Sequence, residues 1–358
     1  LTIAFSRFSS GQRLPEQREL FDDAFPEHRG KPTASSEHYR WKFHTSPFVP
    51  QSYEFAADED GKMLGYYAAI PYQYEIEGRR MMVGMVCDVM THSRARGSGV
   101  FTKLGSYALE ELEITELAFV TGYPVRPEVM GGHLRVGWKV AFELPMYLRP
   151  LRANAIAKSR GVPWLAPVLN AGVAAHQATL APRGVSADYD RTVGPPAELL
   201  HTAPFQRFVG RWAQGVENHL IKSPEFYDWR LGAPGVDYRA FVISRGETVL
   251  ASAVGRQALL HGVPSFALLE MMALGGEEGA LRALHFEIEQ EARRLRAEAV
   301  VTMMSRVRAR EYRLFRFGFL RSPFVFKLII RSLKDDFDIE QVSREAGWHL
   351  MWIDSDDL

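Results

Sequence analysis

The stretch Cys87-Asp88-Val89-Met90-Thr91-His92-Ser93-Arg94-Ala95-Arg96-Gly97-Ser98-Gly99-Val100-Phe101 decides the reading of this chain. The mostly apolar run 82–91 reads as a central strand. It passes directly into R-x-x-G-x-G. An amphipathic helix follows, with Val100, Phe101, Leu104, Ala108 and Leu112 on one face and Glu110, Glu111 and Glu113 mostly outward. Glycines let a backbone approach a ligand closely. A helix N-terminus adds unpaired N–H groups and the positive end of its dipole. Together they make an anion site suited to a pyrophosphate, and Arg94 and Arg96 add positive charge. A G-x-G pair by itself is a tight turn, so the strand before it and the helix after it carry the argument.

Working outward, the same architecture occurs twice. Glu37-His38-Tyr39-Arg40-Trp41-Lys42 recurs as Glu225-Phe226-Tyr227-Asp228-Trp229-Arg230. Tyr53, Gly61, Gly78 and Gly137-Trp138 then match Tyr238, Gly246, Gly262 and Gly318-Phe319 in the same order. The offset drifts in one direction, as small deletions in a second copy would produce. In the first copy, strands at 52–57 and 63–71 flank the turn Asp58-Glu59-Asp60-Gly61, and a second hairpin turns at Glu77-Gly78. In the second copy, 239–243, 249–255 and 266–274 repeat the strands, and Leu281, Leu284, Ile288, Ala292 and Leu295 repeat the helix. Each copy is therefore α+β with a mixed, mainly antiparallel sheet. Residues 348–353 read as a last strand closing the second sheet.

The 358 residues carry 43 Lys plus Arg and 43 Asp plus Glu. A balanced chain is not built to bind polyanions, so no nucleic-acid partner is expected. Cys87 is the one cysteine, which excludes a disulfide framework and a multi-cysteine zinc site. The histidines show no ligand spacing, and no metal is expected. This usage fits a cytoplasmic protein, and no signal peptide is read at the N-terminus. Residues 162–182 hold no charge, but Pro163, Pro167, Asn170, His176, Gln177 and Thr179 interrupt them. A buried or interdomain helix is expected there rather than a membrane span. No G-x-x-x-x-G-K-[S/T], H-E-x-x-H or G-x-S-x-G occurs.

The strand–loop–helix unit resembles the acyl-CoA signature of the GNAT family of N-acetyltransferases, with Arg94, Gly97 and Gly99 in the fixed positions of its loop. A following strand at 117–121, Gly122-Tyr123-Pro124, and the ending His133-Leu134-Arg135-Val136-Gly137-Trp138 extend the likeness. Two copies resemble a bacterial subgroup with tandem GNAT domains. The resemblance implies a GNAT domain at 1–150, a helical linker at 151–205 and a second, degenerate GNAT-like domain at 206–358. It implies acetyl-CoA or another acyl-CoA as co-substrate. Val89, Met90, Thr91, Arg94, Ala95, Arg96, Gly97, Ser98, Gly99 and Val100 would hold it. The acceptor would be a primary amine of a small molecule or amino sugar, attacking the thioester directly. A homo-oligomer is left open.

His133 stands where many relatives carry a tyrosine that protonates the departing thiolate. It is either that acid or a surface histidine. Asp88, in an apolar strand, is either a base for the substrate ammonium or the partner of an Arg. Tyr123 and Tyr147 are alternative acids or structural tyrosines. Glu128 and Glu143 could contact a cationic substrate or water. Tyr39, Trp41, Tyr66, Tyr67, Tyr72 and Tyr74 either line an acceptor pocket or pack. Where the second copy should repeat the loop it has Gly275-Gly276-Glu277-Glu278-Gly279, whose carboxylates would repel a pyrophosphate. A non-catalytic acyl-CoA-binding module is the alternative to an enzyme.

Overall fold

Two-residue turns lay out the first sheet. After β1 (Ala4–Phe8) come β2 (Tyr53–Glu59), β3 (Lys62–Ile76) and β4 (Arg79–Thr91). Asp60-Gly61 and Glu77-Gly78 join the last three, all four residues at positive φ, as tight hairpin turns require. The structure is a computed structural model describing residues 3–9, 11–180, 186–335 and 337–356. Its chain divides into two units.

The first unit holds Leu1–Phe142, Asp228–Gly235 and Lys327–Arg344. Its strand order is β1-β2-β3-β4-β5-β13, with β5 at Leu117–Gly122 and β13 at Leu320–Ser332. Among the described pairings of these strands, only that of β4 with β5 is parallel. Helices α1 (Leu14–Ala24), α2 (Ser36–His44), α3 (Val100–Glu113) and α4 (Pro127–Arg135) flank the sheet. The apolar stripe of α3, Leu104, Ala108 and Leu112, is buried against Phe55, Leu64, Val120, Trp138 and Ile329. Trp41 on α2 and Trp229 on α9 (Pro224–Arg230) are counterparts in the sequence repeat. Their rings stack at 5.8 Å. Each indole N–H donates to the other's backbone carbonyl, at 2.5 and 2.9 Å.

The second unit holds Glu143–Tyr227, Val236–Phe326 and Glu345–Leu358. Residues 146–150 of β6 (Lys139–Pro150) pair antiparallel with β12 (Ala299–Met303), which runs parallel to β11 (Val263–Ala273). Strands β10 (Thr248–Leu260), β9 (Tyr238–Arg245) and β7 (Asp190–Gly194) complete the order. Helices α5 (Asn154–Ser159), α6 (Ala166–Leu180), α7 (Pro196–Leu199), α8 (Ala203–Ala213), α10 (Glu278–Arg294) and α11 (Arg306–Glu311) belong to it. α10 buries Leu281, Leu284 and Ile288 in the core with Phe241, Phe266 and Tyr147. The final strand of each repeat thus ends in the unit built mainly from the other repeat.

Three expectations change. The 151–205 segment is not wholly helical, because Asp190–Gly194 is an edge strand on β9. The 348–353 run is not a strand throughout. Only Trp348 and His349 (β14) pair, in parallel, with β8 (Asn218–Leu220), and the chain then turns into a 3-10 helix held by Met351 N donating to Asp354. The uncharged run at 162–182 does form a helix, α6, but none of its residues is buried. Residues 181 and 182 lie outside the described residues. Among the described residues no helix is long and apolar enough to cross a membrane.

Candidate active site

Strands β4 and β5 pair from Met82↔Leu117 to Val86↔Gly122 and then part. A bulge helps them do so. Tyr66 faces Met90 and Ala68 faces Cys87, so Tyr67 alone opposes Asp88 and Val89. Asp88 takes up the extra residue at φ 47°. Beyond it, Val89, Met90 and Thr91 line an open cleft.

The loop closes one end of that cleft. Ser93–Ala95 form a 3-10 turn. Asp23 anchors it, accepting from the Ser93 N–H at 2.6 Å and the Ser93 hydroxyl at 2.8 Å. Gly97 and Gly99 lie at φ 81° and 84°. A Cβ at Gly97 would meet nothing within 4 Å, and one at Gly99 only side-chain atoms at 4.0 Å. Backbone conformation rather than crowding therefore calls for glycine here. Gly99 is the N-cap of α3, and no side chain caps that helix. Its first N–H groups are left for a ligand. The cleft has a volume of about 890 Å³, within the usual range of roughly 300–1,000 Å³ for small-molecule sites. Arg96, Lys103, Arg126 and Arg135 line it, with Glu128 as an acidic neighbour.

Of the ten residues expected to hold the cofactor, Val89, Met90, Thr91, Ala95, Arg96, Gly97 and Gly99 line the cleft. Arg94 and Ser98 belong to its loop without lining it, and Val100, the first residue of α3, is buried in the core. Sequence reasoning missed the opposite wall, Phe101, Thr102, Lys103 and Ser106 of α3 with Gly132 and Arg135 of α4 and Val136 just after it, and the α1 end at Ala24 and Phe25. The one available signal was the second face of α3, where Thr102, Lys103 and Ser106 are polar but uncharged or basic.

The proton handlers fare differently. His133 is 5% exposed, packed edge-on between Phe101 at 5.1 Å and Trp138 at 5.4 Å. It is neither a surface histidine nor an imidazolium. Burial pushes its pKa down to about 4, so the ring is neutral near pH 7. Asp88 is ion-paired, but with Lys42 Nζ at 2.9 Å rather than with an arginine. Tyr123 is buried just after β5. Tyr147 belongs to the core of the second unit, against Phe315, and Glu143 pairs with Arg306 at 3.1 Å. Tyr39, Tyr66, Tyr67, Tyr72 and Tyr74 are all buried. Two of them serve a buried carboxylate. Glu54 accepts from the hydroxyls of Tyr39, Tyr66 and Ser52, and His44 Nε2 lies 3.6 Å away. Burial pushes this carboxyl up, and the nearby His44 with the bonds from Tyr39 and Tyr66 more than offset it, leaving it below its ordinary value.

Residues 7–141 match the family model described as the acetyltransferase (GNAT) domain. Residues 7–141 form a GNAT domain. Solved structures place the rest of the chain in the same fold. A probable N-acyltransferase from Enterococcus faecalis is similar at TM-score 0.64 and 12% identity, covering 96% of this chain and 74% of its own. A GCN5-related N-acetyltransferase from Anabaena variabilis gives 0.64 and 13%, covering 92% and 73%. Saccharomyces cerevisiae N-myristoyltransferase with bound myristoyl-CoA gives 0.61 and 11%, covering 93% and 80%. At such identities the likeness establishes the fold, two GNAT-like units in tandem. No curated protein sequence matches the chain.

The loop of the second unit lacks the GNAT cleft. Glu278 is tied to Arg313 at 2.5 Å and Arg316 at 3.2 Å. Tyr189 fills the space beside Gly279, its hydroxyl standing where a Cβ would clash. The cavity there is about 80 Å³, far below the volume of a small-molecule site. Among the described residues no group of three or more His, Cys, Asp or Glu could hold a metal ion.

Proposed function

We propose that the chain is an acyl-CoA-dependent N-acyltransferase with one working site, in the first unit. It would take acetyl-CoA or a related acyl-CoA and acylate a primary amine of a small molecule or amino sugar. The observation that carries this reading is the 890 Å³ cleft, built on an uncapped helix N-terminus and rimmed by four basic side chains, against 80 Å³ at the matching loop. A pyrophosphate meets N–H groups and cations in the first loop and two glutamates in the second.

In the reaction the amine nitrogen attacks the thioester carbonyl. A C–N bond forms, the C–S bond breaks, the nitrogen loses a proton and the thiolate gains one. The parted strands leave backbone groups of Val89 to Thr91 free on the β5 side to align the thioester. Asp88 can take the amine's proton once the ammonium displaces Lys42 from it. A neutral His133 is a poor acid at pH 7, so Tyr123 is the better donor to the thiolate.

The non-catalytic reading retains one specific support, because two of the candidate proton handlers are compromised, Asp88 by its pair with Lys42 and His133 by burial. Thiol release from acetyl-CoA, butyryl-CoA and myristoyl-CoA with a panel of amines, followed by mass spectrometry, separates the two. An acylated amine supports the enzyme. Tight acyl-CoA binding with no turnover on any amine supports the binding module.

A further inference from the structure

Helix α6 is built inside out. Its fifteen residues carry no charge, and none is buried. Three of its polar side chains face its own unit, while the fourth, Thr179, is exposed and bonds within the helix. Asn170 accepts from Ala153 N and donates to Asn154 Oδ1, both at 2.8 Å. His176 Nε2 lies 2.9 Å from the Gly318 carbonyl oxygen. Gln177 donates to Pro150 O at 2.8 Å and accepts from Arg293 at 2.6 Å. Ala166, Val173 and Leu180 are half-buried, and the other apolar residues of the helix are exposed. Val168 is 69% exposed and Leu169 39%, and Trp164, in the turn that leads into the helix, is 73% exposed. A helix that meets water ordinarily turns its polar residues outward. A helix that turns them inward leaves an apolar face awaiting a partner.

The sequence around that face carries charges of one sign, and the neighbouring acid bonded to it is Glu298, which accepts from Ala155 N at 2.7 Å. Between Glu143 and Asp188 the sequence contains no acid, in a chain whose 43 acids equal its 43 bases. It does contain Arg152, Lys158 and Arg160, all exposed, on and beside the helix that precedes α6. We infer that Trp164 and α6 form a docking face for an anionic lipid bilayer. The apolar side chains would enter the headgroup boundary, with the basic residues over the lipid phosphates. An exposed tryptophan flanking an uncharged helix suits that boundary. A second copy of the chain fits less well, because pairing two such faces would set cation against cation. The helix cannot span the bilayer. At about 1.5 Å per residue it is roughly 22 Å long, shorter than the hydrocarbon core of about 30 Å. Asn170, His176 and Gln177 also hold one side of it to the protein. This inference is independent of the acyl-transfer reading.

Flotation of the full chain with phosphatidylcholine vesicles, with and without phosphatidylglycerol, tests it. The anionic vesicles should capture at least about tenfold more protein at low salt, and most of that excess should vanish in roughly 0.5 M salt. The double variant Trp164→Glu, Val168→Glu should lose that capture about tenfold or more while keeping acetyl-CoA affinity and thermal midpoint. Replacing Arg152, Lys158 and Arg160 by Gln should abolish the preference for anionic lipid. A double variant that floats like the parent overturns the inference, and so does a parent that floats with neither vesicle. Concentration-dependent dimerisation that Trp164→Glu abolishes would assign the face to a second copy instead.

Discussion

At Gly99 one left-handed residue, φ 84°, aims the first turn of α3 at the cleft. Gly99→Asp brings backbone strain and a negative charge to the proposed pyrophosphate site. Acetyl-CoA affinity should fall at least about tenfold, or 1.4 kcal/mol, and Gly99→Ala, strained but uncharged, should lose less. Unchanged calorimetric affinity in the aspartate variant would remove the site from this loop. His133 makes a different prediction from the one its sequence position suggests. An imidazolium acid would make the rate fall as pH rises through about 6.5. A ring whose pKa is about 4 gives no such fall between pH 6 and 8, and kcat profiles of parent and His133→Gln should run parallel there. The ring shows in stability instead. The folded state keeps it neutral down to about pH 4, while the unfolded chain protonates near 6.5. Between those values the unfolded state binds the extra proton, so stability falls as pH falls and levels off below pH 4. At about 1.4 kcal/mol per unit the loss is of order 3 kcal/mol. Urea titrations at pH 7 and pH 4 should show His133→Gln losing less than the parent.

At the scale of elements, the turn after α4 shows how a family ending becomes a mechanical joint. Gly137 sits at φ 87°, and a Cβ there would clash with Arg331 Nη1. That guanidinium donates to Val136 O and to Glu113, both at 2.8 Å, tying β13 to the ends of α4 and α3. Gly137→Ala should cost about 2 kcal/mol from strain plus the displaced arginine, a drop of several degrees by calorimetry. An unchanged midpoint would show that the turn can relax. The sequence predicted Gly137-Trp138 as an ending but could not supply Arg331, which arrives from the other repeat. The same limit hid Lys42 behind Asp88, 46 residues apart. Local pattern sufficed for the hairpins, for α3 and for the loop, because turn glycines and helical periodicity are local. It failed for α6, where an uncharged run reads as buried. It failed again at 348–353, where apolar alternation implied a strand although only two residues find a partner strand.

At the scale of the whole molecule, each unit takes strands from both repeats, while the repeats drawn from sequence divide at 150 and 206. The units are a matter of contact. Ile329 and Leu333 are part of the first unit's core, and β13 covers the edge of β5 over Phe119 to Gly122. A chain ending at residue 326 should therefore lose the near-ultraviolet circular dichroism of its first unit and bind a hydrophobic dye, while residues 1–150 alone should behave no better. Cooperative unfolding of either fragment would show that the missing strand is dispensable.

That borrowed strand also sets a clock. A ribosome makes β5 about two hundred residues before the segment around Ile329 that pairs with it. At roughly 5–20 residues per second the gap is about 10–40 s. Through that interval the nascent chain carries an open strand edge of Phe119, Val120 and Thr121, a template for pairing with any neighbouring nascent chain on the same message. Slow translation of the second repeat should lower the yield of soluble protein, and codon choice between residues 123 and 329 becomes a variable in its production.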